Sequence, residues 1–365
     1  MAAHLAIVAA PAPGCRARYR CPVPEALILG GTGAVGTAVA RRLLTEGWRV
    51  TVTGRDEAHL DGALLGQGVR FRAVERNDRE GIAAALGPGV DLLLDCVCFT
   101  AADADILLPL LPLVASPVMI SSKAVYVDAR GCHSNSDQPA RFGGPIREDQ
   151  PTLAPDERWA QDTREGYGRH KVAAERILLE SGAPVSVLRP SKVHGRGARP
   201  PREWVFVKRA LDRRPCVLLA RRGRGVDHPT SATNLAALVQ LVAEKPGRRV
   251  LNAADPDAPP ALEISRVVAA HLGHRWEEVL LPDDSASRLG DHPWNRPFPI
   301  VLEMAAAELL GYRPAGGYAT TVAEELDWLT EVSRSRAHPP GLEGSYFSPY
   351  FDYEAEDRFL GPLAS

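Results

Sequence analysis

The sequence predicts an α/β fold: a doubly wound parallel sheet with helices on both faces, followed by a smaller lobe. Two observations lead there. Apolar runs alternate with amphipathic stretches from residue 25 to about residue 190, the order expected of repeated β-α units. The first unit turns on a glycine-rich segment, Gly30-Gly31-Thr32-Gly33-Ala34-Val35-Gly36.

Each element has its own signal. Ala26–Leu29 is a continuous apolar run, as in a strand buried on both faces. The glycines after it satisfy two overlapping spacings, G-x-x-G-x-x-G and G-x-G-x-x-G. Between a strand and a helix the second spacing is the fingerprint of a Rossmann-type dinucleotide site. Glycine permits the sharp turn and the close approach of a pyrophosphate. The helix starting near Ala34 offers free N–H groups and its positive dipole end. Gly30, Gly31, Thr32, Gly33, Ala34, Val35 and Gly36 are therefore expected at the cofactor diphosphate.

Arg49–Thr53 and Val69–Val74 read as the next strands, and Gly81–Leu86 as a helix. Asp91–Val97 reads as another buried strand, with Val97 at the carboxyl end, where such sheets bind ligands. Ala101–Val114 is read as a helix that Pro109 and Pro112 kink or shorten. Pro117–Ser121 is a strand, Glu165–Ser181 a helix closed by Gly182, and Val185–Leu188 a further strand. The polar stretch 127–164 breaks this rhythm, and loops of that length are usually functional or disordered. Beyond Arg189, helices are expected at Thr233–Ala243, Leu262–Leu272, Ile300–Leu310 and Thr321–Val332.

Four segments follow. Residues 1–24 form a mobile extension, 25–190 the Rossmann-type domain, 191–332 a substrate lobe interleaved with it, and 333–365 a tail. The tail's Tyr346, Phe347, Tyr350, Phe351 and Tyr353 are expected to dock on the body or on a second subunit.

Bulk properties narrow the class. A net charge of −2 gives no overall attraction to nucleic acid or to an anionic membrane. No apolar run reaches the length of a membrane span. The six cysteines include no C-x-x-C pair, which favours a reducing, cytoplasmic setting without structural zinc. His271 and His274 read as a surface pair, so no metal is expected. Arginines crowd the stretch from residue 196 to 224, but interspersed acids make it a solvated face more readily than an RNA site.

The second functional signal is Tyr167-Gly168-Arg169-His170-Lys171. Tyr and Lys four apart share one helix face. A nearby ammonium favours the phenolate, and the same Lys can hydrogen-bond a nucleotide ribose. With eight Tyr and so few Lys, chance alone gives such a pair about 0.1 times in this chain. The third signal is Ser121-Ser122-Lys123-Ala124-Val125-Tyr126 at a strand end, where a hydroxyl can hold a substrate carbonyl.

Together with Arg189-Pro190-Ser191-Lys192-Val193-His194-Gly195, these motifs resemble the extended short-chain dehydrogenases/reductases, the NAD-dependent epimerase/dehydratase family, over residues 25–330. The resemblance implies Ser122 rather than Ser121 as the catalytic hydroxyl, Tyr167 as acid/base and Lys171 on the ribose. It also implies that segment 189–195, including Pro190 and Val193, lines the nicotinamide, with Glu75 near the adenine. Dimers are common in that family.

The second strand ends in Gly54-Arg55-Asp56 with no acid at the position that selects NAD. Arg55 suits a 2′-phosphate. NADP is therefore the expected cofactor, and Asp56, which could still reach the ribose, keeps NAD as the alternative.

Departures from the family pattern narrow the chemistry. Lys123 and Ala124 stand where sugar-nucleotide dehydratases carry Asp and Glu. Asp227 stands where many nucleotide-sugar enzymes carry an arginine. The expected activity is a carbonyl reductase or alcohol dehydrogenase acting on a small, anionic or sugar-like substrate. A nucleotide-sugar epimerase and a non-catalytic NAD(P)-sensing or RNA-associated protein are the alternatives. Lys123 or Lys192 is expected to meet the substrate, with His194 nearby.

Overall fold

The computed structural model describes residues 23–283, 288–335 and 347–361. Most of the expected extension 1–24, and Tyr346 of the tail, lie outside them.

The chain alternates strands and helices through β1 (Glu25–Leu29), α1 (Ala34–Thr45), β2 (Arg49–Gly54), α2 (Gly62–Gly66), β3 (Arg70–Ala73), α3 (Arg79–Leu86), β4 (Val90–Asp95), α4 (Ala101–Leu107), β5 (Val114–Ile120), α5 (Gly166–Glu180) and β6 (Ser186–Pro190). Thereafter come β7 (Lys192–His194), α6 (Trp204–Leu211), β8 (Cys216–Leu219), β9 (Pro229–Ser231), α7 (Ala232–Glu244), β10 (Arg249–Ala253), α8 (Ala261–His271) and β11 (Glu277–Leu280). The remaining helices are α9 (Ala305–Leu310), α10 (Tyr318–Thr321), α11 (Ala323–Ser335) and α12 (Tyr353–Leu360).

Seven strands form one sheet in the order β10-β6-β5-β4-β1-β2-β3, and every pairing in it is parallel. The strand order reverses between β1 and β4, which leaves a crevice at their carboxyl ends. One apolar core lies on the α1/α7 face and a second on the face covered by α3, α4 and α5. A third core, built on Trp204, Phe206, Ile264, Trp294, Tyr318 and Leu326, holds the smaller lobe together. The interleaving is visible in the chain path. β10 returns to pair with β6 and α7 packs on α1, while β7/β9 and β8/β11 form two small sheets in the lobe.

Local chemistry sets the element ends. Thr100 and Asp103 form a reciprocal capping box at the start of α4. The prolines at 109 and 112 end α4 at Leu107 and leave residues 108–113 in a 3₁₀ path. One expected helix starts late. Residues 300–304 are not helical, because Ile300 N–H donates to Val226 O and Leu302 pairs with Ile146. Only α9 remains of it.

The polar loop 127–164 is ordered around Asp128. Its carboxylate accepts from the N–H groups of Arg130, Cys132 and Arg141 at 2.8, 2.9 and 2.8 Å. Burial alone would raise its pKa, but those donors hold it at about 2.

Docking of the tail is intramolecular in this structure. The buried Arg209 guanidinium on α6 donates to Tyr350 O at 2.6 Å and Glu356 Oε1 at 2.5 Å. It also lies 5.4 and 5.7 Å from the ring centres of Phe351 and Tyr353. No helix among the described residues is long and apolar enough to cross a membrane.

Arg209→Ala should remove the nearer guanidinium from the buried Glu356 carboxylate and leave it Arg214 at 3.5 Å. Chemical denaturation is expected to show a loss of roughly 1–3 kcal/mol.

Candidate functional site

The glycine turn is shaped by close approach. A Cβ on Gly31 would lie 2.4 Å from Val52 Cβ, and one on Gly36 would lie 2.6 Å from Gly31 Cα. Gly30 adopts φ +76°, which favours glycine. α1 can therefore begin hard against β1 and β2. Its first residues, Ala34, Val35 and Gly36, line a cavity of about 580 Å³ that runs along the carboxyl edge of the sheet. N–H groups in the first turn of a helix have no carbonyl one turn back. A diphosphate fits such a cradle.

A second cavity of about 430 Å³ shares Gly30, Gly33, Val97 and Arg199 with the first, and Thr32 lines it too. Arg55, His59 and Glu75 line its far end. Asp56 is not brought to its wall. The Asp56 carboxylate instead caps a short turn, accepting from Ala58 N–H at 2.9 Å. Thr53 and Gly54 at the end of β2 line this cavity, and Arg55 just past the strand adds a cation there.

At the other end the two serines part company. Ser121 is buried and donates to Glu175, which also pairs with Arg189 at 2.6 Å. The Ser122 hydroxyl accepts from Ala124 N–H at 3.1 Å and lines the larger cavity. Tyr167, on the first turn of α5, lines the same cavity. Lys171, one turn on, is 1% exposed. Its ammonium donates to Cys98 O at 2.7 Å and Ile120 O at 3.0 Å, and lies 4.2 Å from the centre of the Phe99 ring. Pro190 and Val193 line the cavity wall. The structure thus brings Ser122, Tyr167, Lys171 and the glycine turn to one space.

The wall beyond Ser122 is cationic. Lys123, Lys192, Arg202 and Arg296 all line the larger cavity. Asp227, fully buried, pairs with Lys123, with Lys192 at 3.3 Å and with Arg296 Nε at 2.9 Å. Burial, reinforced by the neighbouring guanidinium groups, pushes both lysine amines well below their ordinary range.

His194 is not brought to the cavity. It is 2% exposed, and its Nε2 pairs with Asp255 Oδ2 at 2.8 Å. Asp255 also accepts from Ser231 N–H at 2.6 Å and Asn234 Nδ2 at 2.8 Å, so it ties β7, β9 and α7 together. Burial raises the Asp255 pKa, but His194 and these donors bring it below the usual value.

His194, Glu203 and Glu325 have ligand-type atoms within 4.8 Å of one another, a grouping that motif reading missed. Tyr318 OH donates to Glu203 at 3.2 Å, and Gly195 N–H donates to Glu325. Burial first, and then the facing Glu203, raise the Glu325 carboxyl well above its usual 4.5. The sequence signal is faint: a Glu directly before an apolar helical run, and another more than a hundred positions away.

Comparisons with known proteins agree with this architecture. Residues 26–108 match the family model described as the NADP binding domain of saccharopine dehydrogenase. Comparison with curated protein sequences finds no significant match. Among solved structures, the UDP-glucose 4-epimerase of Stenotrophomonas maltophila, solved with NAD, is similar with TM-score 0.65 and 18% identity, over 86% of this chain and 100% of that one. The dTDP-glucose 4,6-dehydratase of Bacillus anthracis, also with NAD, gives TM-score 0.64 and 15% identity, over 86% and 98%. UDP-glucose 4-epimerase of Thermotoga maritima gives 0.63 and 16%, over 85% and 99%. The chain shares the Rossmann-type α/β fold of these epimerases and dehydratases.

Glu325 yields a pH prediction. A carboxyl whose folded pKa is raised contributes stability that is complete below about 4.5 and is lost as pH rises through the folded value. Glu325→Gln is expected to flatten this decline. Melting curves from about pH 5 to about pH 8 should fall less steeply for the variant than for the parent.

Proposed function

We propose that the protein is an NADP-dependent oxidoreductase of the carbonyl reductase or alcohol dehydrogenase type. The observation that carries the reading is the meeting of Ser122, Tyr167, Lys171 and the glycine turn at one cavity. A bound nicotinamide supplies or accepts the hydride. In the reducing direction the Ser122 hydroxyl donates to the substrate carbonyl oxygen and Tyr167 delivers the proton to it. Fixed donors at the site of developing charge lower the barrier.

Lys171 has the positioning role. An ammonium has three N–H groups, and two are committed to Cys98 O and Ile120 O. The third serves a ribose hydroxyl. Pro190 and Val193 pack on the nicotinamide side. At the adenosine end, Arg55 meets the 2′-phosphate, Glu75 stands beside the adenine and Val97 packs between the two cavities. A small-molecule substrate in a cytoplasmic setting completes the reading.

The fold neighbours favour a second reading, a nucleotide-sugar epimerase that returns the hydride to its own substrate. Asp227, at the position where many nucleotide-sugar enzymes carry an arginine, weighs against it. Cofactor analysis separates the two. Net NADPH consumption supports the reductase, whereas tightly retained NAD without net turnover supports the epimerase.

Two variants test the assignments. Tyr167→Phe is expected to lower kcat by about 10²–10⁴-fold with an unchanged NADPH Kd, so equal rates for variant and parent would remove Tyr167 from the mechanism. Arg55→Ala should raise the Kd for NADPH by roughly tenfold or more and leave that for NADH nearly unchanged. Calorimetric titration of both nucleotides reads this difference.

A further inference from the structure

Lys123, Lys192, Arg202 and Arg296 come from four separate stretches of chain and converge on one wall of the larger cavity. Asp227 is the carboxylate in contact with three of them. Arg202 spends one N–H on Val193 O at 3.2 Å, and its buried Nε has no partner among the described residues. The nearest other acid, Glu203, faces Tyr318 and Glu325. Lys123, Lys192 and Arg202 thus outnumber Asp227 on this wall, with both lysine side chains largely buried. Buried cations in excess of their counter-charges are costly unless an anion joins them. Burial first, and then the neighbouring cationic side chains, hold both lysine amines below their ordinary range.

We propose that the substrate carries an oxyanion group, a carboxylate or a phosphate monoester, that docks on Lys123, Lys192, Arg202 and Arg296. This deepens the oxidoreductase reading and rests on it for the word substrate. Lys123 directly follows Ser122 in the chain. The charged group therefore lies close to the reacting carbon, as in a keto or hydroxy acid or a short phosphorylated carbonyl compound. The same space must admit the nicotinamide end of the cofactor, so the substrate is small. Asp227 holds Lys123, Lys192 and Arg296 apart from one another and in place before the anion arrives. The four cations are specificity residues. Proton transfer stays with Tyr167.

The test is calorimetric titration of the full chain with inorganic phosphate and, separately, malonate. Saturating NADP fills the diphosphate cradle and the Arg55 site, and the buffer is zwitterionic and of low ionic strength. One saturable site is expected, and the tighter probe identifies the class of anion. Lys123→Met and Lys192→Met should each weaken it by roughly tenfold or more, with NADP uptake serving as the control for folding. Asp227→Asn provides the opposite sign: it should tighten the anion, and phosphate should raise its melting temperature more than that of the parent. No saturable binding of either probe, or an affinity in both lysine variants equal to that of the parent, overturns the proposal. NADP uptake without anion binding refutes the oxyanion site and leaves the oxidoreductase reading. Lysine-dependent anion binding in a protein that takes up no pyridine nucleotide does the reverse.

Discussion

The ammonium of Lys171 is the interaction on which the site depends. A buried charge of this kind is tolerated only with good partners. Here Cys98 O, just past β4, and Ile120 O, at the end of β5, supply them. The Phe99 ring covers the group at 4.2 Å. These contacts clamp α5 to the carboxyl ends of two adjacent strands. Tyr167 sits one helical turn before Lys171, so fixing the lysine fixes the phenol over the crevice where the strand order reverses. The glycine turn meets the same crevice from β1, because Gly31 and Gly36 allow α1 to start against Val52.

Buried polar hubs then assign the neighbouring side chains. Glu175, on α5, takes Ser121 and Arg189 and thereby joins β5 and β6 to the helix. That contact commits the Ser121 hydroxyl, although both serines line the cavity. Asp255 works similarly in the lobe, gathering His194, Ser231 and Asn234 from three elements. Asp227, fully buried, is a third hub, and its partners Lys123, Lys192 and Arg296 line the larger cavity.

Much of the fold was legible because its signals are local. Periodicity marked β1 through β6 and the helices α1, α3, α4 and α5, though not the short α2, and the spacing of glycines marked the turn. Tyr167 and Lys171 were legible because four residues make one helical turn. Other features needed the folded chain. The absence of arginine at position 227 was visible as a departure, but nothing nearby in sequence announces that Asp227 collects Lys123, Lys192 and Arg296. His194 was assigned to the substrate by its motif, whereas Asp255, far along the chain, draws it into the interior. Asp56 looked able to reach a ribose, but a local turn claims its carboxylate. The helix expected from Ile300 is shortened by hydrogen bonds to residues 146 and 226, which no window of periodicity includes.

The clasp of α12 on α6 bears on how the molecule is made. On the ribosome, the seven-stranded sheet has all of its strands once Ala253 has emerged. The lobe does not. Its core awaits Leu326 on α11, and Arg209 gains its buried counter-ion only when Glu356 is translated. A nascent chain therefore carries a finished dinucleotide crevice beside an open lobe, and chaperones that shield unpaired apolar surface would find it on α6 and α8.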